Sequence, residues 1–157
     1  MSALKGVLLA IEHATLQRDA LAKAVARVER TMEFARAQMS QLQGYASDTD
    51  NRWTGTASLG VSVELMRHQY QFTERLQQAI AMQSGVLSQS AGQLAEAKAK
   101  LLQAEVRLLG LNQVLKARQA VLSRTQRQRQ QRHTDEFAAM QHARNGGLPM
   151  SGEKHDY

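Results

Sequence analysis

The sequence predicts an all-α fold: a long antiparallel two-helix coiled-coil hairpin whose second helix is longer and overhangs the first. Apolar residues make up 43% of the 157 residues but aromatic residues only 4%, which suits long helices packed along a seam. Two segments repeat their apolar residues at an interval of about 3.5 positions, the period of a coiled coil. One stretch rich in glycine and polar residues separates these two segments, as the turn of a hairpin would.

The first helix is predicted at about residues 3–50. Alternate steps of three and four residues give a seam that only Arg18 interrupts. Such a repeat keeps one side of the helix facing a partner helix. The predicted seam positions are Leu4, Val7, Ile11, Ala14, Arg18, Leu21, Val25, Val28, Met32, Ala35, Met39 and Leu42.

The turn is predicted at about residues 51–59, within the stretch GYASDTDNRWTGTASLG at 44–60. Its glycines and its Ser, Thr, Asp and Asn residues are typical of turns. The helix before it could also end at Gly44 or continue past Trp53 to residues 54–56. The side chain of Trp53 would either close the end of the hairpin core or anchor a contact at the tip.

The second helix is predicted at about residues 60–144, followed by a disordered tail at 145–157. Its seam has a residue at every seventh position, with small or polar residues at the alternate positions. Gly85, Gly92 and Gly110 each cost about 1 kcal/mol relative to alanine. They also let a neighbouring backbone approach closely, and we interpret them as soft points of the helix rather than breaks. The sevenfold positions are Met66, Thr73, Ile80, Leu87, Leu94, Leu101, Leu108, Leu115 and Leu122; the alternate ones are Gln83, Ser90, Ala97, Ala104 and Leu111.

The predicted lengths leave part of the second helix without a partner. Two helices joined by one turn bury their seams only when they are antiparallel. We therefore expect a single hairpin domain over residues 1–144, in which α-helical residues beyond about 115 have no intramolecular partner.

This overhang is basic. No acidic residue lies between Glu105 and Asp135. Three interpretations are open: a solvated helix end whose cations complement the helix dipole, a nucleic-acid-binding helix, or a segment that docks into an electronegative protein surface. In basic-zipper proteins the basic region precedes the leucine repeat, whereas here it follows. The basic residues of this interval are Arg107, Lys116, Arg118, Arg124, Arg127, Arg129 and Arg132.

No pattern in the sequence indicates catalysis. There is no cysteine, no GxxxxGK loop and no HExxH, and the five histidines are too scattered for a metal site. We therefore expect no catalytic residue, no cofactor and no metal, and not an enzyme. The sequence also shows no signal peptide and no transmembrane segment. The net charge of +6 favours acidic partners.

The sequence contains the segments NRW at 51–53, HQYQFTERLQQAI at 68–80 and QRQRQQRHTDEFAAMQHAR at 126–144. Together they resemble the flagellar type III export protein family FliJ. The block QRQRQQRHTDEFAAMQHAR, with Asp135, Glu136, Phe137 and Ala138, resembles the C-terminal end of the family. NRW at 51–53 and HQYQFTERLQQAI at 68–80 resemble its hairpin tip and the start of its second helix. The resemblance covers nearly the whole chain. It implies an antiparallel two-helix coiled coil, similar in shape to the central stalk of rotary ATP synthases, in the cytoplasm and peripheral at the inner face of the cell membrane at the flagellar base.

The resemblance also implies partners. Proteins of this family bind the hexameric flagellar export ATPase with their joined N- and C-terminal ends, and the cytoplasmic domain of the export gate membrane protein near the hairpin tip. Export chaperones are further expected partners, and nucleic acid is not. The alternative function is a general export chaperone or a structural coiled-coil adaptor without ATPase coupling.

Site residues follow for both partners. The expected ATPase-ring residues, in the basic overhang and the DEFA block, are Arg118, Arg124, Arg127, Arg129, Arg132 and Phe137. The gate-binding residues carried over from the resemblance are Gln38, Leu42, Tyr45, Phe72, Leu76 and Ala79. Among these, Leu42 and Leu76 could equally be seam residues, whereas Phe72 lies off the seam.

Overall fold

The structure, a computed structural model, describes residues 2–57 and 59–146. It is all-α, as predicted, with α1 at Ser2–Ala57 and α2 at Val63–Gly146. The two helices pack against each other and α2 is the longer, with 84 residues against 56. Of the tail predicted to be disordered, Asn145 and Gly146 are the last residues of α2, and residues 147–157 lie outside the described part of the chain.

The helix α1 continues seven residues beyond the expected end near residue 50, so the connection begins later than the predicted 51–59. The reason is packing: Ala46, Thr49 and Trp53 continue the steps of three and four and are half-buried. A seam that is still covered outweighs the modest cost of glycine and short polar residues in a helix.

The connection and the start of α2 have well-defined local causes. Gly60 has a φ of +81°, a left-handed conformation that glycine adopts without steric strain. Ser62 caps α2, because its Oγ accepts a hydrogen bond from the backbone N–H of Leu65 at 3.3 Å. The carbonyl oxygen of Ser62 also accepts the first helical hydrogen bond, from the N–H of Met66 at 3.1 Å. Glu64 in the first turn is favourable to the helix dipole.

The residues that the structure describes divide into two compact units: residues 12–57 with 59–109, and residues 2–11 with 110–146. The prediction of one hairpin domain over 1–144 stays a prediction. Within residues 12–109, every seam position predicted for α1 is buried or half-buried. Ala14 is 2% exposed and Ala35 4%, and the buried residues opposite are Leu76 and Ser90. The seam is narrow because two helices can cover only one stripe of each other's surface.

A polar contact fixes the register of the two helices in this unit. Gln83 Nε2 donates hydrogen bonds to the carbonyl oxygen of Ala35 at 2.8 Å and to Gln38 Oε1 at 3.3 Å. At Gly85 and Gly92 an added Cβ would meet no atom within 4 Å. The same holds for Gly110. The helix α2 continues through all three glycines without a break, as predicted.

The other unit contains a short packed part and a long exposed part. Val7 is buried, and Leu4, Ile11, Leu111 and Leu115 are half-buried. Beyond residue 125, every residue of α2 up to residue 146 is exposed. Leu122 is exposed as well, at 37%. The described part of this unit thus ends in a helix that packs on no other described element.

Candidate protein-docking surfaces

The first candidate surface is the basic segment, residues 118–132 of α2. Its arginines at 118, 124, 127, 129 and 132 are exposed. Arg124, Arg127, Arg129 and Arg132 form no ion pair with any residue that the structure describes. Arg127 Nη2 lies 3.4 Å from Ser123 Oγ, a contact within one turn of the same helix.

The charge of the basic segment lies nearly all round the helix. Successive residues are rotated by about 100°, so Arg118, Arg129 and Arg132 share one face while Arg127 lies on the opposite one. No carboxylate lies between positions 105 and 135 to neutralise them. Such a helix attracts anionic groups from every side, which suits a protein cavity better than a flat surface.

An apolar group follows the basic segment directly. Phe137 is 58% exposed and Met140 70%. Together with Gln141, Ala143 and Arg144 they line a shallow groove of about 450 Å³. The sequence singled out Phe137 but not Met140, although its position three residues later places it beside Phe137 on the helix surface.

The second candidate surface, near the turn, contains the residues expected to bind the export gate. Tyr45 and Phe72 are about half exposed. Gln38 is also exposed, and the hydrogen bond from Gln83 holds its side chain. Leu42 and Ala79 are half-buried. A partner can reach all five of these side chains at least in part.

Leu76 differs from the other expected gate residues. It is 9% exposed and belongs to the seam. Its side chain therefore packs inside the seam, and little of its surface is accessible to a partner.

Trp53 lies between two shallow grooves at the turn end of the helices. Val63, Met66 and Tyr70 line one groove with it, and Arg52 and Phe72 line the other. Its ring is half-buried, so it covers the last part of the seam and also borders the surface around Phe72. The exposed Leu65, which the sequence did not single out, lines the second groove as well.

Among residues 2–57 and 59–146, no helix has an apolar stretch long enough to cross a bilayer.

Comparison with known proteins shows the family of this chain. A family model described as flagellar FliJ protein matches residues 8–147. No match was found among curated proteins or solved structures. Because the family match covers most of both helices, this chain belongs to the flagellar FliJ family, a non-catalytic family with a role in flagellar export.

Proposed function

We propose that this protein is the non-catalytic stalk and coupling component of the flagellar type III export apparatus. Residues 118–137 bind inside the hexameric export ATPase ring. The surface around Tyr45 and Phe72 binds the cytoplasmic domain of the export gate. These two partners hold the protein at the inner face of the cell membrane at the flagellar base, and the ATPase carries out all hydrolysis.

The exposed basic segment carries the proposal for the ring. It is a helix without a described packing partner, charged nearly all round, and preceded by a covered seam. A helix that enters a ring meets protein walls on all sides, so charge on every face is useful there. Arginine can pair with a carboxylate through two parallel hydrogen bonds. One exposed pair contributes only about 0.5 kcal/mol, so several pairs are needed to hold the helix.

Phe137 and Met140 supply an apolar contact surface, which the arginines lack. Electrostatic attraction raises the rate of association more than it raises affinity, whereas a buried aromatic side chain is a frequent source of affinity. Both side chains are more than half exposed in the free chain. We expect the ring to bury Phe137 and to hold the end of α2 in place.

Support for gate binding comes from the partly exposed aromatic pair near the turn. Tyr45 and Phe72 lie outside the seam, so packing of α1 on α2 does not require them. The hydrogen bond between Gln83 and Gln38 keeps a polar group fixed on the same side of the helices, two turns from Tyr45 along α1.

The ring is tested by replacing Arg124, Arg127, Arg129 and Arg132 together with Gln, which keeps helix propensity. Four lost pairs of about 0.5 kcal/mol each predict a binding constant for the ring ATPase about 30-fold weaker at physiological salt. Stimulation of ATP hydrolysis should fall with it, while binding to the gate domain should be unchanged.

A matched control removes four charges elsewhere, through replacement of Lys23, Arg30, Arg36 and Lys98 by Gln, all exposed positions on the packed part of the helices. This variant should stimulate the ATPase normally. Equal losses in both variants would mean that only net charge matters. Full stimulation by the variant of residues 124–132 would show that the segment is a solvated helix end. Co-elution with export cargo but not with the ATPase would favour the chaperone alternative.

A further inference from the structure

An apolar row runs along α2 beside the seam. Leu65, Phe72, Ala79 and Val86 follow one another at intervals of seven residues, and we call them the Phe72 row. The leucine is 51% exposed, the phenylalanine 50% and the valine 45%. A repeat of seven keeps side chains on one line parallel to a coiled-coil seam. The packing of α1 on α2 leaves the three large side chains of this line about half exposed, while Ala79 is half-buried.

A large exposed aromatic side chain extends the same surface on α1. Phe34 is 65% exposed. It precedes Gln38 by four residues, about one helical turn, so the two side chains share a face of the helix. Tyr45 lies seven residues after Gln38 on that face as well.

Two contacts show that this face of α1 and the Phe72 row lie on the same side of the two helices. The side chains of Gln38 and Gln83 are joined by a hydrogen bond. Arg52, seven residues after Tyr45, lines one groove together with Phe72. Val86 is about one turn beyond Gln83, just as Phe34 is about one turn from Gln38. The surface of Tyr45 and Phe72 therefore continues away from the turn to Phe34 and Val86.

The border of this extended surface has more basic than acidic residues. Arg27 lies seven residues before Phe34, and Arg75 lies between Phe72 and Ala79 on the outer side of the row; both arginines are exposed. Among the nearest carboxylates, the exposed Asp48 follows Phe34 by fourteen residues and so lies on the same side. Glu33 and Glu74 face elsewhere. Glu33 is rotated by about 100° from Phe34, and Glu74 by about 200° from Phe72.

We propose that the Phe72 row and Phe34 bind an acidic amphipathic helix of the export gate's cytoplasmic domain. This inference rests on the proposed gate binding and adds the chemistry of the partner and two outer contacts, Phe34 and Val86. The row extends over about 30 Å at 1.5 Å per residue. A third helix laid along the seam meets contacts at that interval and inserts its apolar side chains beside Phe72. Its carboxylates pair with Arg27 and Arg75.

The test measures the affinity of the full-length protein for the purified cytoplasmic domain of the gate by calorimetry. The double variant Phe34→Ala with Val86→Ala should bind about tenfold more weakly, as expected for partly exposed apolar contacts at an interface edge. The variant Phe72→Ala should bind more weakly still. Tyr70→Ala is the matched control, because Tyr70 is 72% exposed and points about 200° away from Phe72. Circular dichroism should show unchanged helicity in all of them.

The charge of the partner is tested with Arg27→Gln combined with Arg75→Gln. This variant should bind about fivefold more weakly and lose part of the salt dependence of binding. Unchanged affinity and unchanged salt dependence would overturn the proposal that the partner helix is acidic.

The remaining outcomes separate this inference from the proposed function. Weak binding by Phe72→Ala with normal binding by the Phe34 and Val86 double variant would overturn the extended surface and leave gate binding intact. Normal binding by both variants would overturn gate binding through this surface, and no binding by the unaltered protein would overturn gate binding itself. A loss with Tyr70→Ala equal to that with the double variant would also contradict the inference, because binding would then not be confined to this side.

Discussion

The two packed helical segments, residues 12–57 and 63–109, and the end of α2, residues 126–146, are helical for different reasons. In the first region each helix covers an apolar stripe of the other, and Ala14, Ala35 and Leu76 are buried. In the second region every residue is exposed. Most helix stability in proteins comes from packing, so residues 126–146 depend on intrinsic propensity, which is high for their Gln, Arg and Ala residues.

The difference explains how the two regions can serve two partners. The packed region is a fixed frame, so a partner meets side chains such as Phe72 in set positions on one side. The unpacked region presents its whole circumference, which is what a surrounding ring requires. We expect the same type of substitution to change the stability of the packed region and of the unpacked end of α2 by very different amounts.

The largest difference in stability between the two regions should come from replacing an alanine with aspartate in each. Ala35→Asp places a charge in the seam at a position 4% exposed, and we expect a loss of at least about 3 kcal/mol in the free energy of unfolding. Ala138→Asp makes the same change at an exposed position and should cost no more than about 1 kcal/mol, mostly through helix propensity. Chemical denaturation followed by circular dichroism measures both. Similar losses would mean that the seam does not provide the stability.

A second difference should appear in the exchange of backbone amide hydrogens. Residues 126–146 should exchange at least about 100-fold faster than residues 70–109, because local opening of an unpacked helix breaks no tertiary contact. Addition of the ATPase ring should slow exchange in residues 118–137 and leave residues 70–109 nearly unchanged. Mass spectrometry of peptic fragments resolves these regions. Equal protection of both regions in the free protein would indicate that the end of α2 is packed in solution.

The smallest difference should come from helix propensity alone. Gly92→Ala adds a methyl group that meets no atom within 4 Å apart from the adjacent backbone of its own helix, so it should raise the free energy of unfolding by roughly 0.5–1 kcal/mol. The exposed Gln130→Gly makes the opposite change in the unpacked end. It should lower local helicity but leave the global melting temperature within about 1 °C, because that end melts independently of the seam. A large global effect of Gln130→Gly would contradict the comparison.

Several features of this protein followed from the sequence with little help from tertiary structure. Every predicted seam position of α1 is buried or half-buried, and so are most of those of α2. A repeat of three and four residues leaves one way to bury an apolar stripe, namely against another helix. The exposure of the end of α2 was also predictable, since the second periodic segment is much longer than the first.

Residues near the turn were harder to assign from sequence. Leu76 and Phe72 are four residues apart and both apolar, yet one is buried in the seam and the other half exposed. Leu65, Phe34 and Val86 were not singled out at all. An apolar residue one position away from the seam has the same composition as a seam residue. Whether it is exposed depends on the path of the partner helix.

The sequence by itself determined the two-helix fold, the seam and the acid-free basic end, because periodicity and charge are properties of the chain. Tertiary structure decided the end of α1, the register set by Gln83 with Ala35 and Gln38, and the side of the helices on which Phe34 joins Phe72. These depend on how two helices meet across a seam. Local propensity near residues 50–57 favours a turn, but continued burial of Trp53 extends the helix, since packing over a whole seam outweighs the preferences of a few residues.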